Sequence, residues 1–369
     1  MNPNFHIIGA GVSGLSVALS LLKRGPWRSV PEAARAAAAP PRAEGAFLFP
    51  LLPWDYPDPL NALALRSMSS YEAWLSPVEA SAGQDTEFWR CGMMLLDSIN
   101  THQVLSWCRG HYLTVEQVRH SPVTSTDANQ DLRNALYLPQ VAQVRNPRLI
   151  RVLVSAIKHQ GGDIHEHCAI TGFTTAARKI IGIQTAAHDW ETANVVLATG
   201  AWAGLPTAGL PPAPHIRPIR GQMLLFKLNP GVLTTIIYRN GLYLIPRLDG
   251  HVLVGSTLED AGFDKSVDMP TRQRLHAEAA ELLPVLASVE PIQHWAGLRP
   301  GSPDNIPIIG RHPDFDNVFV NTGHYRYGVT MAPASAELLA DLIEGKTPAL
   351  DPEPYSWQAA LARSWGDKL

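Results

Sequence analysis

The chain has 369 residues, enough for two domains of ordinary size, and 33 acidic against 30 basic side chains leave a net charge of −3. That balance gives no electrostatic footing for nucleic acid or an anionic membrane surface, and no apolar run has the length of a transmembrane segment. Three cysteines, Cys91, Cys108 and Cys168, form no CxxC pair; neither a disulfide framework nor a zinc site is expected, and a reducing cytoplasm fits.

Residues 5–8 read as a short buried strand. GAGVSG then sets Gly9, Gly11 and Gly14 in GxGxxG spacing, and residues 15–23 continue at helical spacing to Gly25. Strand, tight glycine turn and helix predict a dinucleotide site, the glycines permitting the turn, the approach of a pyrophosphate and close helix-on-strand packing. The same pattern asks for a second strand ending in an acid about 20 residues on. Glu32 stands near that place, but residues 25–46 are rich in Ala, Pro and Arg, and Pro26 and Pro31 bracket the expected strand, so its loss is expected.

Residues 61–75 predict an amphipathic helix, residues 88–96 and 103–107 a strand and a helix, and residues 114–120 a helical turn before a polar loop to Asp131. Asn146 and Pro147 suit the N-cap and first position of a helix through Lys158, closed by Gly161 and Gly162. Residues 163–165, 169–173, 180–185 and 190–192 read as short strands; His165, Glu166 and His167 fit a half-exposed strand better than a metal site. NVVLATG, residues 194–200, predicts a buried parallel strand that brings Thr199 and Gly200 to a ligand.

The proline-rich residues 205–218 suit a domain crossing. Residues 221–227, 241–246 and 251–256 read as an antiparallel sheet carrying Tyr243, with Asp249 and Gly250 as a hairpin turn, and residues 271–283 as a helix between Pro270 and Pro284. Towards the C-terminus, GLRPG and GHYRYG set Arg299 and Arg326 in glycine-rich turns, where each guanidinium either grips a carboxylate by paired hydrogen bonds or serves a structural ion pair. Residues 321–332 look too glycine-rich for helix, and a helix is expected over residues 334–344, with Pro333 at its start and Gly345 at its end.

In order along the chain, GAGVSG, NVVLATGAW, RPIRGQ, GLYLIPRLDGHVLVGSTLEDAGFD, HWAGLRPGSPDNIPIIG and GHYRYGVTMAPAS resemble the D-amino-acid oxidase family of FAD-dependent amine oxidases, and within it the glycine oxidases of thiamine biosynthesis. The resemblance implies an α/β fold in which an FAD-binding Rossmann-like domain (residues 1–75, 140–215 and 295–350) is interleaved with an antiparallel-sheet substrate domain (residues 76–139 and 216–294), followed by a tail over residues 351–369. It implies that Arg299 pairs with a substrate carboxylate, assisted by Tyr243, and that Arg326 lies over the substrate. Cofactor contacts would come from Gly9, Gly11, Val12, Ser13, Gly14 and Glu32; from Gly45, Ala46 and Phe47; from Ile170, Thr199 and Gly200; and from His324, Tyr325, Arg326, Tyr327, Gly328, Val329 and Thr330.

No cysteine stands near GLRPG, so non-covalent FAD is implied. The implied reaction takes a small amino acid such as glycine, or a D-amino acid, with oxygen, to an imine or keto acid, ammonia and hydrogen peroxide; no acid or base residue is required. A cytoplasmic homotetramer is implied as well. Two alternatives stay open: a dehydrogenase passing electrons to a carrier, and a cofactor-poor inactive chain. The second rests on residues 40–46, PPRAEGA, which keep the length but not the chemistry of the family's Ser-Ser-x-x-Gly-Gly-Gly loop, as compensating frameshifts in GC-rich DNA would leave it. Glu44 beside a phosphate would add repulsion.

Overall fold

The computed structural model describes residues 5–25, 30–31, 46–96, 100–118, 135–186 and 189–366. The sequence expectations on Glu32, on residues 40–45 including Gly45, and on the loop to Asp131 lie outside them.

The continuous apolar run Phe5–Ile8 is buried along its whole length. It pairs in parallel with Asn194–Leu197, which pairs in parallel with Val318–Thr322, and Ile308–Arg311 closes this four-stranded sheet antiparallel. Strands so rich in Val, Ile and Phe need cover on both faces. One face is covered by helices α1, Val12–Arg24, and α6, Gly328–Glu344, on which α2, Asp58–Ala82, and α4, Asn146–His159, pack in turn. A three-stranded meander, Ile170–Ala176, Lys179–Thr185 and Trp190–Glu191, covers the other. The short α3, Thr101–Gly110, follows α2 and is capped by the Asn100 side chain.

The second sheet has eight strands, in the order Gln293–Gly301, Arg217–Lys227, His251–Gly255, Leu242–Pro246, Ile236–Arg239, Met93–Leu95, Ala135–Leu138 and Glu116–Val118. Its pairs are antiparallel except Ile236–Arg239 with Met93–Leu95. On one face lies α5, Met269–Leu282, with Leu275, Ala279 and Leu282 set against Leu224, Phe226 and Leu244.

Several expectations are corrected. Residues 116–118 are an edge strand and not a helical turn, because pairing with Ala135–Leu138 satisfies their backbone. Arg145, not Asn146, caps α4. The run at residues 194–200 leaves the strand at Leu197, and Gly200, at φ +56°, opens a 3₁₀ turn. Arg299 sits on the long strand Gln293–Gly301, paired from end to end with Arg217–Lys227, and not in a turn. A second strand survives as Val30–Pro31, parallel to Ile164–His165.

Helix α6 begins at Gly328, six residues before the expected start, and holds Pro333 in its interior. A proline there leaves the carbonyl four residues back without its donor. That carbonyl is Val329, and it accepts a hydrogen bond from the buried Tyr71 hydroxyl at 3.2 Å. Tertiary contact thus supplies what the local sequence lacks.

Candidate active site

The N-terminal turn shows three different requirements at its three glycines. Gly9 has φ +110°, and a β-carbon on it would overlap the Ala198 carbonyl of the neighbouring strand; one on Gly14 would overlap the Gly9 carbonyl. Both are therefore fixed by packing. Gly11 faces open space and caps α1 with no side-chain hydrogen bond. The exposed amides of that first turn carry no acidic residue and suit a phosphate.

The start of α6 adjoins this point. Its first turn has neither a side-chain cap nor an acid, and the Ser13 hydroxyl meets Nδ1 of His324 at 3.3 Å. His324 is buried, its Nε2 has no hydrogen-bond partner among the described residues, and burial pushes its pKa down to about 3. It is a neutral imidazole with one ring nitrogen free inside the protein.

Two cavities flank this junction. One, of about 460 Å³, is lined by Gly9, Gly11, Ile170, Thr199 and Gly200 together with apolar residues of segment 202–213. The other, of about 430 Å³, is lined by Ala46, Phe47, Tyr243, Arg299, Arg326, Tyr327, Val329 and Thr330. Val12, Ser13, Gly14, His324, Tyr325 and Gly328 line neither cavity; Ser13 and His324 join the starts of α1 and α6. Two uncapped helix starts, an open glycine and an unpartnered buried imidazole between two cavities suit an extended ligand with an anionic middle. FAD has that form, and these residues would hold it.

The second cavity is lined by two arginines, Arg299 and Arg326. Arg299 is 3% exposed. Its guanidinium lies flat on the backbone at Gly221, where any side chain would collide with it. It donates to the Ser256 hydroxyl at 2.8 Å and to the Thr257 carbonyl at 3.3 Å, both neutral acceptors. Arg326 is largely buried, its guanidinium 5.3 Å from the Tyr325 ring centroid. Burial opposes its charge, while Tyr56, Tyr327 and Tyr325 favour it and carry its pKa above the ordinary value. Tyr243 is packed edge-on against Phe47 at 5.5 Å, and Thr330 donates to the Phe47 carbonyl at 3.1 Å, so strand, sheet and α6 brace one another.

The lining carboxylates are already engaged. Glu259 pairs with Arg220 at 2.5 Å, and Glu278 with Arg274 at 3.0 Å. Burial acts to raise the Glu259 pKa, but hydrogen bonds from Thr257, Arg220 and Gln222 outweigh it and hold the carboxyl below its usual range. Sequence reasoning missed these partners, along with Gly221, Ser256, Thr257 and the α5 wall of Thr271, Arg274, Leu275 and Glu278. The motifs RPIRGQ and GSTLED contain Arg220, Gly221, Ser256, Thr257 and Glu259 but do not show which arginine each would serve. Cys91 and Cys108 are buried thiols, each pushed up to about 11 by burial, with no nucleophilic role.

The model of a family described as FAD dependent oxidoreductase (DAO) matches residues 5–342. Glycine oxidase of Pseudomonas aeruginosa is 38% identical over 361 residues, 96% of this chain and 99% of that protein. The bifunctional protein ThiO/ThiG of Trichormus variabilis is 31% identical over 93% of this chain and 53% of its own length. Among solved structures, glycine oxidase from Geobacillus kaustophilus superposes with a TM-score of 0.88 at 26% identity, covering 96% of this chain and 99% of that one. The chain belongs to the DAO family of FAD-dependent oxidoreductases.

Proposed function

We propose that the protein is a glycine oxidase: it oxidises glycine and other small amino acids at Cα, releasing the imine or its hydrolysis product with ammonia, and reduces oxygen to hydrogen peroxide. The observation that carries this reading is Arg299, a buried guanidinium that among the described residues is held by neutral acceptors and faces a cavity beside the dinucleotide turn. Such a cation is incomplete until an anion meets it.

Arg299 takes the substrate carboxylate, braced by Ser256 and Thr257, with Tyr243 and Arg326 on the same wall. Fixing the carboxylate fixes the direction of the Cα–H bond, and orientation is the main catalytic contribution of the chain. Bound FAD supplies a two-electron acceptor. No lining carboxylate stands free to act as a base, since Glu259 and Glu278 are both paired, and hydride loss from an amine with a free lone pair needs none. Phe47, Leu51, Leu242 and Leu275 supply the apolar part of the chamber wall.

The Ser13–His324 pair and the open face at Gly11 would hold the cofactor's central phosphates. We also assign residues 1–75, 140–215 and 295–350 to the cofactor-binding domain and residues 76–139 and 216–294 to the substrate domain, the strand carrying Arg299 bridging the two. The product fits a supply of glycine imine for thiazole synthesis in the thiamine pathway. Oxygen uptake with stoichiometric peroxide on adding glycine tests the oxidase; flavin reduction without oxygen uptake would assign a dehydrogenase.

A further inference from the structure

The chamber holds more positive charge than one carboxylate can neutralise. Arg299 and Arg326 both line it, and among the described residues neither forms an ion pair. Its two acids, Glu259 and Glu278, are neutralised by Arg220 and Arg274. Among the described residues, the other ionisable groups that line the chamber or face Arg326 are the hydroxyls of Tyr243, Tyr327, Tyr56 and Tyr325, with His324, which is neutral, two positions from Arg326. Burial holds the Tyr327 hydroxyl well above its ordinary pKa, so it stays protonated.

A zwitterionic amino acid docking on Arg299 would cancel one guanidinium and bring an ammonium into a chamber that still carries the other. Two like charges held in one chamber, part of whose wall is Phe47, Leu51, Leu242 and Val329, repel one another. The cheapest relief is loss of the ammonium proton. It passes to solvent as the substrate binds, one proton per molecule, with no electron moved, and leaves the lone pair that amine oxidation requires.

We propose that the charge of Arg326 sets the protonation state of the bound substrate amine, doing for this site what a general base does in others. The inference rests on the amine-oxidase reading above, and it assigns to Arg326 a role distinct from the grip on the carboxylate.

The test is the pH dependence of the limiting rate of anaerobic flavin reduction at saturating glycine, which reports ionisations in the enzyme–substrate complex. The native holoenzyme should show an apparent pKa at least about one unit below that of free glycine titrated in the same buffer. Arg326→Met should raise it by about one unit, and Arg326→Lys should keep it near the native value. Acetate, a carboxylate with no amine, should perturb the flavin spectrum with an affinity that is flat over the same pH range.

A native value equal to that of free glycine overturns the proposal without recourse to any variant. So does an Arg326→Met profile that superposes on the native one, or an acetate affinity that titrates with the same pKa, which would assign the ionisation to the protein. If glycine reduces the flavin at no pH while acetate still binds, the functional reading fails and takes this inference with it.

Discussion

The Tyr325 amide donates a hydrogen bond to the Pro300 carbonyl at 3.0 Å, joining the residue before Arg326 to the residue after Arg299. The backbone that carries Arg299, on the strand Gln293–Gly301, is thus joined directly to the turn that carries Arg326, 27 positions on. Replacing Arg299 by Met should lower kcat/KM for glycine by about 10²–10³-fold, the effect of removing one partner of a buried charge pair. Arg299→Lys should recover little, since an ammonium cannot reproduce the planar fork held by Ser256 and Thr257. Steady-state kinetics with matched flavin content would show both.

The three glycines of the N-terminal turn should separate by mutation. Gly14→Ala forces a β-carbon into the Gly9 carbonyl and should unfold or grossly destabilise the protein. Gly11→Ala meets nothing among the described residues and should fold normally, yet it places a methyl where a phosphate would approach the α1 amides. Its FAD dissociation constant should rise at least about tenfold, as for a mispaired charged contact. Thermal melts of apoprotein and flavin-quenching titrations distinguish the two substitutions.

Pro333 and Tyr71 should be energetically coupled through Val329. Tyr71→Phe leaves that buried carbonyl without a donor and should cost about 1–3 kcal/mol. In a Pro333→Ala background the helix amide is restored, and the same Tyr71→Phe change should cost about 1 kcal/mol less. A double-mutant cycle in urea measures the difference, and strict additivity would contradict the assignment.

The elements easiest to read from sequence were those whose local pattern and tertiary setting agree. Phe5–Ile8, α1, α4 and the hairpin strands Leu242–Pro246 and His251–Gly255 all fell near their expected places. Failures came where a distant partner decides. Tyr71 rescues the proline inside α6, and Ala135–Leu138 makes residues 116–118 a strand. Gln293–Gly301 hides as a turn because its glycines and proline are tolerated only against Arg217–Lys227. Arg299, Tyr243 and Arg326 were singled out through the motifs that carry them, and the structure brings all three to one cavity. Ser256 and Thr257 were not singled out, because a hydroxyl and a carbonyl that brace an arginine 42 or 43 positions away leave no periodicity or spacing to read.

His324 should make stability depend on pH. Its folded pKa of about 3 lies below the reference value of 6.5, so between those limits the unfolded chain takes up a proton that the folded chain refuses. Stability is then full above about pH 6.5 and falls as the pH drops towards 3, by up to about 1.4 kcal/mol per unit. His6, pushed down to about 4 by burial and by the nearby His165, adds in the same direction. His324→Gln should flatten its share of the slope between pH 7 and 5, seen as a smaller shift of the urea midpoint. An unchanged slope would mean that the imidazole titrates normally in the folded state.

The most direct measurement is the visible absorption spectrum of the purified protein before and after anaerobic addition of glycine. A flavin spectrum that bleaches with glycine is the expected result and joins cofactor, site and substrate class in one observation. A protein that remains colourless after added FAD, or a bound flavin that glycine leaves oxidised, would contradict the assignment.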